Sequence, residues 1–316
     1  MTVWRSIEEV DLEDRPSVVT IGNFDGVHLG HRHVLRRAHE VAADSPADAS
    51  VVAVTFDPHP MQVIAPSRVP ARLTSIDVRV RLLAAAGADH VLVLPFDRDM
   101  SQWSPEEFVD RVVVKALRAA AVVVGENFRF GSKAAGDVAF LREQGAAKGF
   151  TVEGLALDGD EQPWSSTYVR SLVASGDVAA AAQVLGRFHG VDGVVVEGDK
   201  RGRELGFPTA NIPASNAVAV PDDGVYAGWL RVDGVKDALP AAISVGTNPT
   251  FDGIDRRVES YVLDRDDLEL YGVHVEALFV DRVRGQVAFD GRAALIEQMH
   301  RDVADVRRLL AAAPTP

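Results

Sequence analysis

The sequence predicts a doubly wound α/β domain followed by an antiparallel β-barrel or sandwich and a C-terminal helix. Three observations predict it. In the first half, short β-rich runs alternate with helical patterns, the order of a parallel sheet wound on both faces. Runs such as Val51-Val52-Ala53-Val54 show no apolar/polar alternation, as expected of strands covered on both sides. From Gly190 onward, strand patterns follow one another across turns without intervening helices.

Strand candidates of the first half are residues 18–21, 51–56, 90–94, 121–125 and 150–157, rich in Val, Ile and Leu. Helical patterns fall between them at 31–43, 76–86, 105–117 and 138–148. Ser104 followed by Pro105, Glu106 and Glu107 is a strong helix start. A helical stretch at 177–185 closes this half. The second half offers strands at 193–197, 225–232, 241–245, 258–263 and 273–279. The helix expected at 292–310 places Leu295, Met299, Val303, Val306 and Leu310 near helical spacing, a stripe for core packing. At 316 residues the chain exceeds the usual single domain. A boundary near Gly186 divides it into 1–186 and 187–316.

Composition narrows the function classes. With 47% apolar and 25% charged residues, the chain reads as an ordinary globular protein. Its net charge of -13 is spread evenly: residues 1–186 hold 18 Lys and Arg against 25 Asp and Glu. Neither half has the broad basic face of a nucleic-acid binder, so an anionic substrate must be held by local basic groups. The absence of cysteine excludes disulfides, thiolate catalysis and Cys-based zinc sites. No 18-residue apolar span or signal-peptide pattern opens the chain, where Arg5, Glu8, Glu9 and Asp11 intervene. The expectation is a cytoplasmic protein without a membrane partner, its oligomeric state not set by the sequence.

The most informative stretch is Gly22-Asn23-Phe24-Asp25-Gly26-Val27-His28-Leu29-Gly30-His31, directly after an apolar strand. His28 and His31, three residues apart at a helix start, share one face of its first turn. Ring N–H groups and the free backbone N–H groups of the helix start would together cradle phosphate oxygens. A plain strand-to-helix turn, or a zinc pair, is the alternative. Phe56-Asp57-Pro58-His59-Pro60 follows another strand, its prolines stiffening the loop that presents His59. Asn127, Arg129 and Lys133 lie in the glycine-flanked 125–133 segment after a third strand, where the two cations suit an anion. Ser165-Ser166-Thr167-Tyr168-Val169-Arg170 opens a helix, with hydroxyls that could serve only as caps.

Taken in order, these segments resemble the nucleotidyltransferase superfamily, and the Phe-x-Pro-His-Pro and Asn-Phe-x-Phe-Gly segments narrow the resemblance to the flavin adenylyltransferase module of bacterial FAD synthetases. The match spans nearly all of residues 16–186. It implies that FMN phosphate attacks the α-phosphorus of ATP and pyrophosphate leaves. No protein nucleophile is then required, and catalysis is positioning and electrostatics. The resemblance implies that His28 and His31 stabilise the α-phosphate, that Gly22, Asn23, Phe24 and Asp25 form the ATP-phosphate turn, and that Ser166, Thr167 and Arg170 hold the leaving phosphates. His59, Asn127 and Arg129 fall on the flavin side. Trp164 departs from the smaller aliphatic residue usual in the family, and Glu126 occupies a variable position.

Residues 198–211 carry a second constellation. A basic loop with Lys200, Arg201, Gly202 and Arg203 runs into Phe207-Pro208-Thr209-Ala210-Asn211. Thr209 and Asn211, two apart on an extended segment, point the same way and offer hard oxygen ligands suited to Mg²⁺. The glycine-hinged loop could close over phosphates, although a basic loop is commonly just a solvated turn. This arrangement resembles riboflavin kinase over residues 186–305, with Gly-Phe-Pro-Thr-Ala-Asn the most distinctive motif. The resemblance implies a mostly antiparallel β-barrel kinase domain. Thr209 and Asn211 would bind magnesium and ATP phosphates, with Lys200, Arg201 and Gly202 on the phosphates. Glu259 would take the ribityl proton; read alone, it could be a surface carboxylate. Arg265 departs from the family's Leu-Asp-Phe pattern.

The expectation is therefore a two-step flavin enzyme using riboflavin, FMN and ATP with Mg²⁺, and no nucleic acid. A flavin-binding regulator would bind flavin without turnover. A tRNA-directed synthetase fragment, the remaining alternative, would need lysines in its second motif, and residues 165–170 contain none.

Overall fold

Burial on both faces explains the unbroken apolar runs of the first half. The computed structural model describes all residues except 14, 46–47, 157–163, 199–206, 215–216 and 251–252. By packing, the chain divides into two units: Met1–Pro70 with Ile76–Trp164, and Ala71–Ser75 with Ser165–Pro316.

The first unit is an all-parallel six-stranded sheet of β1 (Thr2–Trp4), β2 (Ser17–Ile21), β3 (Ser50–Asp57), β4 (His90–Pro95), β5 (Ala119–Gly125) and β6 (Thr151–Leu155), in the order β1-β4-β3-β2-β5-β6. The helices are α1 (Leu29–Ala43), α2 (Pro60–Ile64), α3 (Ile76–Ala85), α4 (Pro105–Phe108), a π-helical continuation Val109–Ala116, and α5 (Val138–Lys148). Alternate strand residues serve opposite cores. Val19, Val52, Leu92 and Val122 pack with Phe108, Val112 and Leu141, whereas Val18, Val51, Val91 and Val123 pack with Val34, Leu35 and Leu83. Each fully buried side chain of this size contributes about 1.5–3 kcal/mol. Strand order reverses beside β2, so the carboxyl ends of β2 and β5 flank a topological switch point, the usual ligand position of such sheets.

Three local details differ from the sequence expectation. Strand β1 was not expected, because three residues are too short for a periodic signal; Trp4 secures it by stacking on His90 at 4.7 Å. The 105–117 helix starts as expected, with a capping box between Ser104 and Glu107. It then widens: Leu117 N–H reaches the Val112 carbonyl at 2.9 Å, five residues back, a choice that apolar periodicity does not encode. The prolines after β3 open the short helix α2, where a turn was expected.

In the second unit, α6 (Ser166–Ala174) and α7 (Val178–Leu185) precede β7 (His189–Val194), β8 (Thr209–Ala214), β9 (Gly224–Val232), β10 (Leu239–Thr250), β11 (Gly253–Val262), β12 (His274–Gly285) and α8 (Arg292–Ala312). Every described pairing in the order β7-β12-β9-β10-β11-β8 is antiparallel. An antiparallel bridge from Val196 to Asn211 brings the end of the β7 segment to β8, so the sheet curls into a nearly closed barrel rather than a sandwich. Ile212, Tyr226, Leu230, Ile243, Val258 and Phe279 fill it. The helix α8 covers part of the outer face, where Val303, Val306 and Leu310 meet Ala227 and Leu263. Strand β7 begins earlier and ends sooner than the expected 193–197. Strand β12 runs past 279 through irregularities at Phe279/Asp281 and Arg282/Arg284, which break the alternation a sequence reading relies on.

A polar knot ties α6 and α7 to the barrel. Arg282 donates to the Asp222 carboxylate at 2.8 Å, the Asp223 carbonyl at 2.8 Å and the Ser175 carbonyl at 3.4 Å. The fully buried Tyr226 hydroxyl donates to the Asp222 carbonyl at 2.5 Å, and burial pushes its pKa up to about 12. Gly176 turns between the helices at φ +80, where a Cβ would stand 2.8 Å from the Tyr226 hydroxyl and 2.9 Å from Arg282. We expect Gly176→Ala to lower unfolding stability by about 1–3 kcal/mol, measured by urea titration.

Candidate active sites

In the first unit, the strand-to-helix turn after β2 is sharply bent. Phe24, Gly26 and Val27 have φ of +49, +84 and +39, and positive values are uncommon for non-glycine residues. The turn is held from below: Gly22 N–H donates to the Val54 carbonyl at 3.1 Å, and the Thr55 hydroxyl to the Asn23 carbonyl at 3.0 Å. Phe24 and Val27 are buried to 2% exposure, so apolar contact offsets the backbone cost.

His28 is the N-cap residue of α1 and His31 lies in its first turn. Their rings stack, centroids 3.7 Å apart, and the Phe24 ring meets His31 edge-on at 5.1 Å. Gly30 makes room for this, since a Cβ there would stand 3.1 Å from the His28 ring and 3.2 Å from Trp164. The bulky Trp164 thus packs against the helix start. Among the described residues no group of three or more His, Asp or Glu side chains is disposed to hold a metal, so the zinc-pair alternative has no third ligand there.

The other expected residues of this unit lie at the carboxyl ends of neighbouring strands. His59 follows β3 and accepts the Met61 N–H through Nδ1 at 3.2 Å, capping α2. The Asp57–Pro58 peptide before it is cis. Asn127 and Arg129 follow β5 and are exposed, Arg129 donating to the Phe128 carbonyl at 3.0 Å.

The remaining residues of the first motif set belong to the second unit. Ser165 is the cap of α6, accepting the Tyr168 N–H at 3.1 Å. Ser166 and Thr167 stand in the first turn of α6. Arg170 donates from Nε to the Ala71 carbonyl at 2.7 Å, which fixes its side chain.

On the barrel, β8 and β11 are adjacent, with Asn211 opposite Glu259 and Thr209 opposite Tyr261. Directly paired and alternate residues share a sheet face, so Thr209, Asn211 and Glu259 share one. Asn211 is buried to 5% exposure; its Nδ2 donates to the Thr209 carbonyl at 3.2 Å and hydroxyl at 3.3 Å. Its Oδ1 has no hydrogen-bond partner among the described residues. Gly198 approaches so closely that a Cβ would stand 2.6 Å from this amide. Lys200, Arg201 and Gly202 lie outside the described residues.

Some residues escape the sequence reading. The Thr209 and Asn211 segment borders a cleft lined also by Val195, Ser260, Val262, Leu268, Leu270 and Tyr271. Ser260 is 1% exposed and its hydroxyl has no partner among the described residues; a serine at an interior position of strand alternation was the available signal. In the first unit, Arg79 is 3% exposed on the otherwise apolar buried face of α3, beside Val78, Val80 and Leu83. A cation on an apolar helix face was the signal there.

Residues 10–168 match the FAD synthetase family and residues 185–310 the riboflavin kinase family. Proteins described as bifunctional riboflavin kinase/FMN adenylyltransferase are similar throughout: 37% identity over 92% of this chain and 91% of the Escherichia coli K12 protein, and 36% over 98% of both chains for Pseudomonas fluorescens. The Bacillus subtilis protein of the same description is 30% identical over 94% of this chain and 93% of its own. A crystal structure from Streptococcus pneumoniae, described as a macrolide-efflux protein, superposes with a TM-score of 0.85 at 28% identity, covering 97% of this chain and 98% of that one. Among the described residues of this chain, no helix is long and apolar enough to cross a membrane.

Proposed function

Because the chain belongs to the bifunctional riboflavin kinase/FMN adenylyltransferase family, we infer that it converts riboflavin to FAD in two ATP-consuming steps. The observation that carries the reading is a stacked histidine pair at the carboxyl end of a parallel sheet, on the same chain as an Asn/Thr oxygen pair on an antiparallel barrel. We assign adenylyl transfer to residues 1–186 and phosphorylation to 187–316. The substrates are riboflavin, FMN and ATP, with no nucleic-acid or membrane partner, and dependence on ATP favours the cytoplasm.

Phosphorylation comes first. Glu259 accepts the proton of the terminal ribityl hydroxyl as that oxygen attacks the γ-phosphorus of ATP; a P–O bond forms, the γ–β bridge breaks and ADP leaves. The cleft beside Thr209 and Asn211 takes the nucleotide, and phosphate binding is assigned to Lys200, Arg201 and Gly202. The donor set fits a hard cation: a buried amide oxygen without a hydrogen-bond partner among the described residues, next to a hydroxyl, both neutral, so that phosphate oxygens complete the charge. Bound there, Mg²⁺ would neutralise charge on the phosphate oxygens.

Adenylyl transfer follows. An FMN phosphate oxygen attacks the α-phosphorus of a second ATP, and the bond to the β-phosphate oxygen breaks, releasing pyrophosphate. His28 and His31 donate to the α-phosphate oxygens as charge builds, together with backbone N–H groups at the start of α1. Gly22, Asn23, Phe24 and Asp25 contribute through the shape of their turn. Ser166, Thr167 and Arg170 hold the leaving phosphates, and His59, Asn127 and Arg129 face the flavin.

Chromatography of riboflavin, FMN and FAD tests the assignment. His28→Ala should lower FAD formation by about 100- to 1,000-fold while FMN still accumulates from riboflavin. Asn211→Ala should block riboflavin phosphorylation to a comparable extent, yet supplied FMN should still become FAD. Equal loss of both products in either folded variant would contradict separate sites. Chelation of divalent cations with EDTA should stop FMN formation, and added Mg²⁺ should restore it.

A further inference from the structure

One buried cation joins two loops assigned to adenylyl transfer, and neither loop's own sequence reveals it. Arg79 projects from α3, its side chain 4% exposed, to the Asp25 carboxylate, 2% exposed, with Nη2 and Oδ1 3.5 Å apart. Its Nη1 lies 3.3 Å from the Thr55 hydroxyl and 3.4 Å from the Phe56 carbonyl, donating to both. The Thr55 hydroxyl in turn donates to the Asn23 carbonyl at 3.0 Å. A single guanidinium therefore contacts the turn after β2, through Asp25 and through Thr55 to Asn23, and the end of β3 where the chain enters Asp57-Pro58-His59.

The energetics argue against a purely stabilising role. Burying a charge pair carries a desolvation cost of several kcal/mol per ion, and a well-packed apolar pair of equal volume is often as stable. An apolar side chain at this position would continue the otherwise apolar buried face of α3. What an apolar residue cannot do is fork, because only a planar multi-donor group reaches a carboxylate, a hydroxyl and a carbonyl at once. The groups it reaches belong to the histidine turn and the His59 loop.

We propose that Arg79 is a positioning residue for adenylyl transfer, fixing the histidine turn and the His59 loop in mutual register without touching substrate. This rests on the assignment of His28 to that reaction. Displacement of reacting groups by about an ångström can cost about 100-fold in rate. The riboflavin kinase site contains none of these contacts.

The test uses the full chain and measures kcat and KM for ATP in both reactions on the same preparation. Arg79→Met should lower adenylyl-transfer kcat by about 10- to 100-fold, with a smaller change in KM for ATP and an unchanged phosphorylation rate. Arg79→Lys, which keeps a charge for Asp25 but lacks the planar fork to Thr55 and Phe56, should recover only part of that loss. Should Arg79→Met fail to fold because Asp25 loses this ion pair, the double variant Arg79→Met/Asp25→Asn removes both charges, and the same loss in adenylyl transfer is expected. A wild-type adenylyl-transfer rate in either folded variant, or loss of both activities together in the double variant, overturns the proposal. His28→Ala is run alongside. If it leaves adenylyl transfer intact, the underlying assignment has failed; if it abolishes the reaction while Arg79→Met does not, the fault lies with Arg79 alone.

Discussion

Backbone N–H groups converge on one point where a chain turns sharply at a helix start, and the geometry of that turn organises the first unit. The turn after β2 reaches it by accepting positive φ at Phe24 and Val27 as well as at Gly26. Such a conformation persists only when its surroundings impose it. Here the imposition comes from the buried Phe24 and Val27 side chains, from bonds to Val54 and Thr55, and from the Arg79 ion pair. The parallel sheet serves the same end, because its central strands terminate side by side and deliver their loops to one edge.

The barrel solves a different problem. The wall that bears the oxygens proposed for the kinase reaction must also form a core. Strand alternation separates the two demands: Ala210, Ile212 and Val258 point into the core while Asn211 and Glu259 take the other face. Register does the rest, since pairing Asn211 with Glu259 sets an amide beside a carboxylate from residues nearly fifty positions apart in sequence. Gly198, with no Cβ, lets the preceding segment close over the amide.

How much of this was legible followed from range. The doubly wound first half could be read because its evidence is local: unbroken valine runs, a capping box at Ser104, glycine-marked turns. The shared face of His28 and His31 was legible for the same reason, two histidines three positions apart at one helix start. The curl of β12 past its irregularities was not, because Asp281 and Arg282 interrupt alternation just where the strand continues. Nor was the fork of Arg79, whose partners Asp25, Thr55 and Phe56 come from two other segments. A sequence shows which residues are unusual in their pattern, such as a cation on an apolar helix face or a serine inside a barrel. Their partners come only with the fold.

We propose that two chemistries occupy two separate sites on one chain, linked by FMN. Complementation tests it most directly: His28→Ala chains and Asn211→Ala chains are mixed with riboflavin, ATP and Mg²⁺, and the flavins are followed by chromatography. FAD is expected to appear after a lag, as FMN made by the first variant is adenylylated by the second, while either variant alone yields little or no FAD from riboflavin. Absence of FAD from the mixture, with both proteins folded and free FMN accumulating, would contradict it.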